Sequence, residues 1–330
     1  MERFHSCRDD DAFAFQFTHP YRPCISGDFF SMKVRDLGED RLIEQLLPRL
    51  SLRKAVATAP GDDCAVVEAQ HRRKLLVLKT DCVVERVHFL RGTNAFNVGW
   101  KAMMRPLSDF AATSAVPQFA LITLMAPKQT EVAWVKELYR GLRRAAKRFE
   151  VSIVGGETSS TPGPVAISTS VVGFVERDRA VSRRGGKAGD DLFVTGRLGG
   201  GLKQKHLQFI PRIAESRWLT KNFPIHAMMD LSDGLGTDLP RLARTSKVGF
   251  KIQVENLPLT RGAKLNDAIS EGEDYELLFA VSSRDRSRLQ RAWAKKFPKL
   301  LLTRIGSLNR KPKTENLKLP GGYVHFQQPS

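Results

Sequence analysis

The chain has 330 residues, 42% of them apolar and 27% charged, with a formal net charge of +18. That size and balance suit one large or two ordinary globular domains, and they exclude a helical membrane protein, because no stretch approaches the roughly 18 consecutive apolar residues that a span needs. The basic excess is scattered: its densest runs, RGLRRAAKR (140–148) and ERDRAVSRRGGK (176–187), read as helix surface and loop, so a surface that attracts phosphorylated ligands is favoured over nucleic-acid binding.

The opening MERFHSCRDDDAFAF lacks the basic segment and apolar run of a secretory signal. Residues 1–31 show neither helical nor strand periodicity and are expected to be a disordered extension. The four cysteines, Cys7, Cys24, Cys64 and Cys82, form no C-x-x-C pair, so a zinc site is not expected and a reduced, cytoplasmic setting is. From Met32 on, Leu42, Ile43, Leu46 and Leu47 fall at helical spacing. Elements then alternate. KLLVLKTD (74–81) reads as a strand ending in an acid, and residues 96–116 as a buried helix rich in Ala and Met. Residues 119–127 form a strand, 130–149 an amphipathic helix with a basic outer face, and 151–159 and 165–175 two more strands. A turn-rich stretch, RRGGKAGDD (183–191), leads into the second half. There a helix is expected to start within 230–246, with strands at 251–259 and 275–282 and a helix at 283–296. The pattern predicts an α/β (α+β) chain of two domains, 32–175 and 176–330. PLSDFAATSA (106–115) and DLSDGLGTDL (230–239) share L-S-D before a helical run, either as a repeated unit or by chance.

The acids carry the chemical signal. They sit beside Gly, Ser and Thr at the ends of apolar runs: GDDCAVV, LKTDCVV, PLSDFAA, VGGETSS, DLSDGL and GEDYELLF. Taken singly, Asp109, Asp230 or Asp233 also fits an N-cap, Glu157 a turn and Glu273 a surface position. Taken together, buried carboxylates are costly unless cations meet them. A hard ion such as magnesium, bridging nucleotide phosphates, suits such a set. No P-loop and no protein-kinase signature is present.

In order, GEDRLI, GDDCAVV, TDCVVERVHF, GWKAMMRPLSDFAATSA, VGGETS, RRGGKAGDDLFVTG, DLSDGL and EGEDYELLF resemble the thiamine-monophosphate kinase family. That family belongs to the aminoimidazole ribonucleotide synthetase superfamily, and the match runs from about Leu37 to Phe326. The resemblance implies an N-terminal half, binding ATP and metal, that dimerises through its sheet. A C-terminal α/β half packs against it, and ATP lies between subunit elements with several magnesium ions. It implies Asp63, Thr80, Asp81, Asp109, Glu157, Asp230 and Asp233 as metal ligands, Asp109 and Asp233 being central to catalysis. It implies Gly156, Arg183 and Ser232 against ATP, and His88, Glu273 and Tyr323 against thiamine monophosphate. His88, Arg183 and Tyr323 also fit structural roles. The implied partners are therefore ATP, thiamine monophosphate and a second copy of the chain, with neither membrane nor nucleic acid.

Lys79, Arg86, Pro106, Thr113, Ser114 and Glu157 depart from the family pattern, and Lys79 is placed either to repel a metal ion or to replace one of its charges. Two alternatives stand beside the kinase: an ATP-driven ring closure of the aminoimidazole ribonucleotide synthetase type, and a non-catalytic basic binding protein.

Overall fold

The computed structural model describes residues 33–47, 50, 52–58, 60–69, 73–201 and 205–310. The expected extension over 1–31 and Tyr323 lie outside the described residues. Two short helices, α1 (Val34–Leu37) and α2 (Glu39–Leu46), come first, then strands β1 (Val56–Thr58), β2 (Ala65–Glu68) and β3 (Lys74–Val84). Helix α3 (Ala95–Ala112) leads to β4 (Val116–Ala126), and helix α4 (Val132–Arg148) to β5 (Ser152–Ser160) and β6 (Ala166–Glu176). The six strands form one sheet in the order β1-β2-β3-β6-β4-β5. Only β4 and β5 are parallel, and α4 is the crossover that a parallel pair requires.

The remaining strands form a second, antiparallel sheet. They are β7 (Asp190–Thr195), β8 (Ile225–Asp230), β9 (Gly249–Ile252), β10 (Leu277–Ser282) and β11 (Leu302–Asn309), ordered β8-β10-β7-β11-β9. Helices α5 (Ile213–Asn222), α6 (Leu235–Thr245), α7 (Leu265–Ser270) and α8 (Arg286–Lys296) accompany it. Strand β10 is apolar on both faces. In β10, Leu277, Phe279 and Val281 join the core that surrounds α3, while Leu278 and Ala280 join a second core with α6 and α7. Strand alternation separates the two sets.

Helix α3 lies where the two sheets meet, packing on β3, β6, β8, α4 and α5. Its apolar residues cover nearly the whole circumference, as a helix buried on all sides requires. Asn94 caps it, accepting from the N–H of Phe96 at 3.0 Å and of Asn97 at 3.4 Å. Ser114, in the left-handed region at φ 58°, ends it before residue 116, where the sequence placed its end.

Other expectations shift for local reasons. Asp230 closes β8, opposite Leu277, instead of opening a helix, and the helix begins at Leu235 after Gly234 turns the chain at φ 97°. The strand expected at 251–259 stops at Ile252, and residues 254–256 turn as a 3₁₀ helix. Helix α5 and strand β11 had no counterpart in the sequence reading. Among the described residues, no helix is long and apolar enough to cross a membrane.

Helices α3 and α4 touch backbone to backbone through two glycines. A Cβ on Gly99 would lie 2.0 Å from the carbonyl oxygen of Leu138, and one on Gly141 would lie 2.0 Å from that of Phe96. Gly99→Ala and Gly141→Ala are each expected to destabilise the protein by about 1–3 kcal/mol through overpacking, measured by urea unfolding. Wild-type stability in both variants would contradict this close approach.

Candidate active site

Three carboxylates from three separate elements meet at the junction of the two halves. Asp63 comes from the loop before β2, Asp109 from the last turn of α3, and Asp230 from the end of β8. One ligand oxygen of each lies within 4.8 Å of the others, and all three residues are buried. Asp63 accepts from Arg183 at 2.6 and 3.1 Å, leaving its Oδ2 buried without a partner. Asp230 accepts from the Ser108 hydroxyl at 2.6 Å, leaving its Oδ1 in the same condition. Unsatisfied buried carboxylate oxygens are costly. Two of them in one carboxylate cluster suit a hard divalent cation held by oxygen ligands, and the residues present therefore fit magnesium.

The electrostatics agree. Burial drives the Asp109 carboxyl well above its usual range, against the pull of Lys79, and Asp81, Asp230 and Asp63 push it the same way. Its place at the C-terminal end of α3, the negative end of the helix dipole, disfavours a carboxylate further. Burial and the charge of Asp63 push Asp230 up to about 7. Asp81 goes the other way: despite burial, Lys79 and then Arg105 hold it below the ordinary carboxylate value.

Strand alternation decides which residues of β3 join this site. Lys79 and Asp81 share the inward face of Leu75, Val77 and Val83, and Lys79 Nζ lies 3.0 Å from Asp109 and 3.7 Å from Asp81. The Thr80 side chain points to the opposite face, where it bonds Ser170 at 3.0 Å and meets Ser168 at 3.3 Å. Gly156 and Glu157 lie on β5, an exposed edge strand separated from β3 by two others, roughly 14 Å away at ordinary strand spacing. Glu157 accepts there from the N–H of Thr158 at 3.0 Å. Asp233 sits in the turn after β8, ion-paired to Arg241, which also reaches Asp238 at 3.3 Å and Asp40 at 2.9 Å. The carbonyl of Ser232 accepts from the N–H of Glu273 at 2.7 Å.

The two described residues expected against the acceptor lie close to one lysine. Lys101 of α3 is fully buried and donates to both oxygens of Glu273 at 2.7 Å and to the carbonyl of His88 at 2.6 Å. His206 Nδ1 approaches Glu273 at 2.8 Å. The His88 ring accepts through Nδ1 from the N–H of Val84 at 3.0 Å. Burial alone would raise Glu273, but the hydrogen bond from His206 and the charge of Lys101 hold it down at about 2. Burial in turn lowers Lys101 to about 8, so the pair is ionic at neutral pH.

The sequence reading passed over Lys101, Arg105 and Ser108. A signal was there: Lys101, Arg105 and Asp109 recur every fourth residue of an otherwise apolar helix, which places them on one face. His206 carried no such signal.

The two-sheet fold with aspartates gathered at its seam defines the class, that of the AIR synthase related proteins. Residues 61–175 match the family model of the AIR synthase related protein N-terminal domain, and residues 187–315 match that of the C-terminal domain. Within that class, a thiamine-monophosphate kinase of Rhodopirellula baltica is 33% identical over 82% of this chain and 92% of its own. One of Aquifex aeolicus is 36% identical over 75% of this chain and 87% of its own. The structure of AaThiL complexed with AMPPCP and TMP superposes with a TM-score of 0.76 at 33% identity, covering 90% of this chain and 99% of that one. The chain belongs to the thiamine-monophosphate kinase family.

Replacing Glu273 by Gln strips the buried Lys101 of its counter-charge and is expected to cost about 3 kcal/mol. Because Glu273 is held near 2 in the fold against an ordinary 4.5, its contribution is present above pH 4.5 and lost as pH falls toward 2. Unfolding titrations over that window are expected to show a shallower acid dependence in Glu273→Gln than in the parent. Parallel curves would contradict the pairing.

Proposed function

We propose that this protein transfers the γ-phosphoryl group of ATP to thiamine monophosphate, forming thiamine diphosphate and ADP with magnesium. The observation that carries this reading is the meeting of Asp63, Asp109 and Asp230 in one cluster, two of whose carboxylates each keep a buried oxygen without a partner. Family membership supplies the substrates. It favours the kinase over the ring-closing alternative.

Asp63, Asp109 and Asp230 would hold magnesium, and Asp81 stands beside them. The ion, when bound, supplies the charge neutralisation that phosphoryl transfer requires. The acceptor is already a phosphate, so no side chain is needed to remove a hydroxyl proton. The chain's work is then to align two anionic groups and to offset their repulsion. Arg183, anchored on Asp63, offers a guanidinium suited to a phosphate. Gly156 and Ser232 are proposed against ATP, and His88, Glu273 and Tyr323 against the acceptor. Thr80, Glu157 and Asp233 are proposed as outer contributors to the metal site, since their side chains lie outside the central three.

We also propose a homodimer formed on the outer face of the first sheet. Phe119, Leu121 and Val154 stay 45–59% exposed there, around the free edge of β5. Two copies meeting on that face would cover these side chains and bring a second set of β5 residues to the assembly. The halves 32–175 and 176–330 are read as its two domains, and ATP as co-substrate suits a cytoplasmic location.

Incubation with ATP, magnesium and thiamine monophosphate is expected to yield thiamine diphosphate and ADP, and chelation of magnesium to abolish both. Asp230→Asn should fold yet lose about 100-fold or more in rate, comparable to loss of a preorganised electrostatic group. Product formed by the variant at the parent's rate would remove Asp230 from the site.

A further inference from the structure

The carboxylate cluster already contains a cation of its own. Lys79 projects from β3 into the cluster, 3.0 Å from Asp109 and 3.7 Å from Asp81. Strand alternation keeps it there, on the inward face between Val77 and Asp81. It is the one lysine on that face of β3, every other inward residue from Leu75 to Val83 being apolar except Asp81.

The charges around it divide into two groups. Asp63 is matched by Arg183 at 2.6 Å. Asp81 and Asp109 flank Lys79, with Arg105 near Asp81. Four carboxylates, Asp63, Asp81, Asp109 and Asp230, thus face three fixed cations, Lys79, Arg105 and Arg183. The carboxylate oxygens still without a partner are Asp63 Oδ2 and Asp230 Oδ1, and neither belongs to Asp81 or Asp109, the two that flank Lys79. Directly across the strand pair from Asp81, the buried Thr169 hydroxyl also lacks a partner, but it carries no charge for a cation to neutralise.

We propose that the Lys79 ammonium takes the place of a divalent ion between Asp81 and Asp109, so that the nucleotide-free protein holds a single divalent ion per chain in this cluster, on Asp63, Asp109 and Asp230. This rests on the metal reading given above. A tethered ammonium brings one charge where a divalent ion brings two, and it stays in place when free magnesium is scarce. An ammonium contacts oxygen at about 2.8 Å and magnesium at about 2.1 Å, so the two cannot share one position. The chain thereby makes part of its site independent of metal supply.

The test counts ions and does not rely on turnover. Mn2+ is titrated into the nucleotide-free protein and bound ions are counted by electron paramagnetic resonance, for the parent and for Lys79→Ser, which opens the position. One ion per chain is expected on the parent and two on Lys79→Ser. Two or more on the parent, or equal non-zero numbers on both, would overturn the proposal while leaving the metal reading intact. No ion on either protein would overturn both. Lys79→Met supplies a second readout, because its side chain fills the space without the charge. It is expected to keep the parent's single ion and to melt at a lower temperature than the parent in metal-free buffer. An unchanged melting temperature would show that the ammonium balances nothing and would overturn the proposal.

Discussion

The structure depends on one electrostatic constraint: carboxylates from both halves of the chain are buried against each other at a single seam. Asp63 and Asp109 come from the first half and Asp230 from the second. Charges so placed repel, and in a low-dielectric setting each needs a partner. The chain answers with Arg183 on Asp63, Ser108 on Asp230 and Lys79 on Asp109. Two oxygens are left over without a partner, and the proposed metal ion would answer them.

Helix α3 makes the arrangement possible. It is buried between the sheets, and one polar stripe runs along it. Lys101 ties the helix to Glu273 in the second half, Arg105 donates to the carbonyl of Cys82 at 2.9 Å on β3, and Ser108 and Asp109 end the stripe in the carboxylate cluster. A single packed element therefore sets the spacing between the pair around Glu273 and the carboxylate cluster. The glycine contacts between α3 and α4 hold that element against the outer helix with no side chain to spare. Positioning polar groups on a packed helix, and not on loops, keeps such a cluster from drifting.

Much of this was legible in the sequence, and the failures have identifiable causes. Strands β3 to β6 announced themselves because their runs are long and end in punctuating residues, whereas β1 and β2, of three and four residues, had no counterpart in the sequence reading. The acids Asp63, Asp109 and Asp230 stood out because isolated charges beside small residues at strand ends are unusual. Thr80, next to Asp81 in sequence, faces the other side of the sheet, because successive strand residues alternate. Glu157 and Gly156 lie on β5, which sheet order and not sequence order puts at the far edge. Asp233 sits three residues beyond Asp230, yet the turn delivers it to Arg241. Lys101 was hidden by the apolar character of its helix, and its partner Glu273 lies 172 residues away. The short strand β11, LTRIGSLN, carries too many polar residues to declare itself until β7 and β9 flank it.

The central claim is that the three seam carboxylates exist to hold a divalent ion. Diffraction from crystals grown with Mn2+, recorded for its anomalous signal, tests this most directly. The account requires an anomalous peak bonded to Asp63 Oδ2 and Asp230 Oδ1, with Asp109 completing the set. A peak held by other residues only, or none at the seam with the three carboxylates sharing protons instead, would contradict it.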